Sequence, residues 1–208
     1  AIATNKMSST MGTTIATWHY AKSGYIQWKL AGICVVLAVA GSTIGSNLVL
    51  VTSDAFLRVF LLAVLPITAI YVMRSKSGKQ DKEPLSSKRT AALCALVAFC
   101  VGIYDGFYGP GTGTFLMLLL TGVAHLKLKS AAGITKAINL TTNVTALVVF
   151  LLHGQVWLVL GLVAGAFNIV GNYLGSHSFS KNGGAVARPI TIVVLVIFFA
   201  KVIWDFVA

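Results

Sequence analysis

The sequence predicts an all-α polytopic transmembrane protein, arranged as an inverted repeat around one helix broken by glycine and proline. Three observations lead there. The 208 residues are 57% hydrophobic and only 10% charged, whereas a soluble domain carries about a quarter charged residues. Several apolar runs also reach the roughly 17–25 residues that cross a bilayer. The apolar run 97–122 holds Asp105, Pro110 and five glycines between Gly102 and Gly113 in its middle. Finally, residues 130 positions apart match one another without a gap.

Taken in order, residues 1–21 form a span with a polar face, carrying Thr4, Asn5, Ser8, Ser9, Thr10, Thr13, Thr14 and Thr17. Lys22 and Lys29 mark a short basic loop. Residues 30–51 are a cleaner span, with Gly41 and Gly45 at the small-xxx-small spacing that lets helices approach closely. Asp54 is placed to cap the next span, 55–73, which is expected to bend near Pro66. Residues 74–89 hold six of the sixteen basic residues and read as a water-exposed loop.

The next element cannot be one uninterrupted helix. Glycine is permissive, and proline removes a donor and clashes with the turn before it. Irregular backbone survives inside hydrocarbon only where protein or a wet cavity shelters it. Two arms, 90–103 and 112–123, are therefore expected around a buried break. The alternatives are a hairpin turn in water, a re-entrant pair that does not fully cross, and a single long tilted span. Residues 130–152, 156–175 and 189–207 are the remaining spans, with Pro189 at a first helical position. Between the last two, 177–188 reads as a loop. The four histidines are scattered, and Cys34, Cys94 and Cys100 read as buried apolar thiols with no metal-ligand spacing.

The 130-residue interval pairs Lys6 with Lys136, Ala16 with Ala146, Gly24 with Gly154, Gly41 with Gly171, Gly45 with Gly175, Ser46 with Ser176 and Arg58 with Arg188. It divides the chain into the remainder of a first repeat (1–73), a loop (74–89) and a second repeat (90–208). By the same interval the broken element has a counterpart ahead of residue 1, an expected segment of about forty residues or more. With the basic loop 74–89 in the cytoplasm, every other basic loop falls on the same side. The C-terminus then lies outside, and the two halves point in opposite directions. This is the pattern of an inverted-repeat transporter in a bacterial inner membrane.

The polar residues converge on a small anion. Thr135, Asn139 and Thr142 share one helix face, with Lys136 and Asn143 beside it. Asn5, Ser9 and Gly12, flanked by Lys6 and Thr13, are their counterparts. Intramembrane lysines mark function by default, the bland alternative being that they snorkel to headgroups. The break at Gly109, Gly111 and Gly113 exposes amides at the positive end of the second arm, where Thr112 and Thr114 add hydroxyls. Asp105 is expected to pair with a lysine, carry a coupled proton or cap the second arm. The candidate binding residues are thus Asn5, Lys6, Asp105, Gly109, Gly111, Thr112, Gly113, Thr114, Lys136, Asn139 and Asn143. No cofactor, metal or nucleic acid is expected. A proton or sodium ion is the candidate coupling partner, and a homo-oligomer is allowed. No nucleophile with its base or HExxH pattern suggests an enzyme.

The Ala3–Lys6 stretch ATNK, the segment DGFYGPGTGTF and the internal repeat together resemble the TauE/SafE family of membrane permeases. The resemblance runs over essentially all 208 residues. It implies export or import of sulfite, sulfoacetate or related sulfonates, placing sulfur on an anion that the residues alone leave unspecified. Lys136→Ala and Asp105→Asn are then expected to abolish transport. A membrane scaffold or accessory subunit is the alternative, for which both substitutions would be silent.

Overall fold

Every element is helical in the residues described by the computed structural model, 1–53, 55–57, 60, 83 and 85–182. Among these the helices are α1 (Ile2–Lys22), α2 (Trp28–Leu50), α3 (Ser87–Phe107), α4 (Thr112–Gly122), α5 (Leu128–Leu152) and α6 (Leu158–Asn182). α2, α3, α5 and α6 are long and apolar enough to cross a membrane. α1 matches them in length at 21 residues, but its hydroxyl groups set it apart from the apolar set. Most of the expected span 55–73, most of the loop 74–89 and the whole of 189–207 lie outside the described residues. So do Asp54, Arg58, Pro66, Arg188 and Pro189.

Four expectations need correction. α3 begins at Ser87, so Lys88 and Arg89 are helical rather than part of the loop, and it runs past Ile103 to Phe107. A single glycine inside a helix costs only about 1 kcal/mol, so Gly102 and Gly106 do not stop it. Helix α6 continues through His177 to Asn182, where a loop is expected after Gly175. Packing on α1 overrides the weak local propensity: the His19 and His177 rings lie 6.0 Å apart, and Tyr20 and Phe179 5.7 Å apart. The histidines are therefore not all scattered. Lastly, Cys34 and Cys94 are buried but Cys100 is exposed.

Small residues set the closest helix contact. A Cβ added at Gly41 would stand 3.0 Å from the Ile103 amide nitrogen, and one at Gly45 2.7 Å from that of Phe107. From the other side, a Cβ at Gly106 would stand 2.9 Å from the Ser42 Cα. α2 and α3 thus meet backbone to backbone along two small-xxx-small ridges, Gly41–Gly45 and Gly102–Gly106. Ser42 uses the approach to donate to the Thr142 carbonyl of α5 at 2.8 Å.

Helix directions follow from cross-helix bonds. Thr17 of α1 donates to the Lys136 carbonyl near the start of α5 at 3.1 Å, while Ala3 clusters with Ala146 and Phe150 near its end. α1 and α5 are therefore antiparallel. Trp157 donates to Thr4 at 3.2 Å, and His19 meets Ser180 at 3.1 Å, so α6 runs parallel to α1. Local structure recurs at the 130-residue interval. Lys22 and Leu152 both end helices, and Trp28 and Leu158 both begin them. Gly24 and Gly154 take φ of 72° and 65°. Behind them, Tyr25 donates to the Tyr20 carbonyl and Gln155 to that of Phe150, each at 3.0 Å.

The basic segments gather at one end. His125 Nδ1 lies 2.8 Å from the Glu83 carbonyl, Gln27 donates to Ser130 at 3.0 Å, and the Lys129 ammonium sits 5.6 Å from the Tyr25 ring centre. The His125–Glu83 contact joins the far end of α4 to the chain just ahead of α3. The two arms therefore double back, which rules out one long tilted span. With 11 residues, α4 is about 16 Å long, roughly half the hydrocarbon thickness.

Candidate functional site

The break occupies 108–111. Gly109 and Gly111 have φ of 98° and 83°, the left-handed region that glycine enters without a Cβ penalty. Pro110 lies between them, and its carbonyl accepts a hydrogen bond from Tyr104 Oη at 2.6 Å. Tyr108 and Thr112 are buried on either side, while Gly109 and Pro110 between them are half-buried and Gly111 is exposed. Thr112 donates its amide to the Gly109 carbonyl at 3.1 Å, and Thr114 and Phe115 donate theirs to the Gly111 carbonyl at 2.9 and 3.0 Å. The expected row of free amides is thus mostly satisfied by the turn itself. The Gly113 amide remains without an acceptor among the described residues.

Asp105 sits on the last turn and a half of α3, only 3% exposed. Lys6 Nζ of α1 lies 3.1 Å from its Oδ1, and Thr112 Oγ1 of α4 donates to the same oxygen at 2.8 Å. Thr142 Oγ1 of α5 donates to Oδ2. Every neighbour is a donor, which is what an ionised carboxylate accepts. Of the three expected roles for Asp105, the geometry displays the lysine pair. It does not cap α4, whose N-terminus has no side-chain cap. Lys6 is 2% exposed and points into the protein rather than to headgroups.

Lys136 is placed differently. Its Nζ donates to Asn172 Oδ1 at 3.1 Å, and no carboxylate pairs with it among the described residues. Asn172 in turn donates to Asn168 Oδ1 at 2.6 Å, and Asn168 to Ser8 Oγ at 3.1 Å. A side chain at Gly12 would run into this amide pair, its Cβ standing 2.8 Å from the Asn168 carbonyl oxygen. The absence of one there lets α6 bring the asparagines against α1.

A cavity of about 250 Å3 opens between these groups. Asn5, Lys6, Asp105, Gly109, Gly111, Thr112, Gly113, Lys136, Asn139 and Asn143 all line it. Thr114 does not, and neither does Thr135, whose buried hydroxyl has no hydrogen-bond partner among the described residues. Asn168 and Asn172 line it too, although the sequence reading passes over them. Their signal was two amides at i and i+4 within an otherwise apolar span. Ser9, Thr13 and Pro110 complete the wall. The lining offers amide and hydroxyl donors and one lysine not held by an acid. Such a set can solvate a small anion. Among the described residues, no group of three or more His, Cys, Asp or Glu side chains could hold a metal ion.

Comparison with known proteins places these features in a wider group. The family profile described as sulfite exporter TauE/SafE matches residues 1–202. The probable membrane transporter protein YfcA of Escherichia coli K12 is 28% identical over 206 residues, 99% of this chain and 76% of that protein. A probable membrane transporter protein of Haemophilus influenzae is 28% identical over 206 residues, 99% of this chain and 80% of that one. The probable membrane transporter protein ORF9 of a Sinorhizobium species is 29% identical over 206 residues, 98% and 78% of the two chains. No solved structure matches the chain.

Proposed function

The chain belongs to the TauE/SafE sulfite exporter family and is a multi-pass membrane transporter, and from that premise we propose that it carries small sulfur oxyanions or organosulfonates through the cavity at its helix break. The observation that supports this most is Lys136. An ammonium within a membrane span is costly without a counter-ion, and no acid answers this one among the described residues. An anion in the cavity would supply that counter-charge. Asn5, Asn139 and Asn143 add amide donors, and the Gly113 amide adds a backbone donor at the positive end of α4. Sulfite and sulfonates present three oxygens and little apolar surface, which suits such a wall. The family description favours sulfur over other anions.

We further propose that 1–73 and 90–208 are two halves of an inverted repeat about the loop 74–89. The antiparallel course of α1 and α5 supports that reading. The gathered basic end is proposed to face the cytoplasm of a bacterial cell, with a proton or sodium gradient driving exchange. The test is flux of labelled sulfite and methanesulfonate into vesicles carrying the full-length protein, with pH and sodium gradients imposed separately. Flux should be saturable, follow one gradient, and fall to background in Lys136→Ala. Flux no greater than in empty vesicles for every anion tried would sink the reading.

A further inference from the structure

The two lysines of the cavity are not equivalent. Lys6 is closed onto Asp105 at 3.1 Å, and that carboxylate is further held by Thr112 and Thr142. Among the described residues, Lys136 has only the neutral amide of Asn172. Among the described lining residues the formal charges are therefore two positive (Lys6, Lys136) and one negative (Asp105), a net of one positive charge.

We infer that the cavity selects its anion by valence, taking monovalent anions in preference to divalent ones, and that Asp105 is the residue that sets this preference. The inference rests on the anion-carrying reading above and adds the charge class of the substrate. Beside groups as buried as Lys6 and Asp105, net charge is penalised. One anionic charge brings the occupied cavity to neutrality. A second leaves an uncompensated negative charge in the cavity that Asp105 lines, where the two like charges repel. Bisulfite and organic monosulfonates fit this rule, whereas sulfate and the sulfite dianion do not.

Methanesulfonate and sulfate make the test, because both are tetrahedral at sulfur and present acceptor oxygens but carry one and two charges at neutral pH. Their dissociation constants are measured on the full-length protein in lipid nanodiscs at fixed ionic strength. The wild type should bind methanesulfonate more tightly. Asp105→Asn raises the lining to two positive charges, so the sulfate-to-methanesulfonate affinity ratio should rise about tenfold or more. Bound anions should then be slow to leave, which accounts for the expected loss of transport in that variant. The double variant Lys6→Gln/Asp105→Asn returns the lining to a single positive charge and should return the ratio towards that of the wild type. A merely structural role for the ion pair would not produce that reversal. Should Asp105→Asn fail to fold, Lys6→Gln reads the same quantity with the opposite sign: a neutral lining, both anions weaker, sulfate weakened more.

An unchanged ratio in a folded Asp105→Asn protein, or a wild type that prefers sulfate, would overturn valence selection while leaving anion carriage standing. Absence of binding by either anion to the wild type, with Lys136→Ala indistinguishable from it, would overturn the anion reading itself.

Discussion

An acid and a base buried together in a membrane span survive only when each answers the other and the remaining lone pairs find donors. Lys6 and Asp105 meet that condition with the hydroxyls of Thr112 and Thr142. Gly109 is confined by the same pair: a Cβ there would stand 3.0 Å from both Asp105 Oδ1 and Lys6 Nζ, at a φ of 98°. Gly109→Ala should therefore lower stability by about 1–3 kcal/mol, read as a lower thermal midpoint in detergent, and should impair flux. Lys136→Ala should remove anion binding and change that midpoint less than Gly109→Ala does, because it deletes a costly charge together with a single hydrogen bond, to Asn172. The sequence marked most of the cavity wall, since polar residues in apolar spans stand out. It gave the two lysines the same standing, because they occupy matching places in the 130-residue interval. Only the fold shows that the acid faces one of them. Asn168 and Asn172 escaped notice because their partners, Ser8 and Lys136, lie on other helices.

At the scale of elements, the glycine ridges do most to position the site. They bring α2 against α3 so closely that Ser42 reaches across to α5, and α3 carries Asp105. Gly45→Leu should force these helices apart and cost about 1–3 kcal/mol or more, measurable as a reduced thermal midpoint. Gly175→Leu is at the matching place in α6, where an added Cβ meets nothing within 4 Å among the described residues, and should be tolerated. The Gly41–Gly45 spacing was legible in the sequence, but not which helix it would meet. The ends of α3 and α6 were misread for one reason: glycine is a strong stop signal in a sequence and a weak one in a helix already held by neighbours. Gly106 and Gly175 are both helical here. The real break needed two glycines at positive φ around a proline.

Across the whole molecule, the basic end joins segments far apart in the chain, through His125 with Glu83, Gln27 with Ser130 and His19 with Ser180. Single cysteines introduced at Ser23 and Lys127, in a background lacking the native three, should react with an impermeant maleimide from one side of the membrane. A cysteine at Gly154 should react from the other. Labelling of all three from one side would exclude the proposed topology. The gathering of the basic segments at one end was legible from charge alone, and the short second arm was legible as 112–123, one residue longer than α4. The Asp105 carboxylate on α3 binds side chains of three other helices. Its oxygens are grasped from α1, α4 and α5 at once, so four helices share a single knot. Any rearrangement that turns the cavity from one face of the bilayer to the other must either carry those four as a rigid block or untie the knot, and the rate of turnover is then bounded by how firmly it is tied.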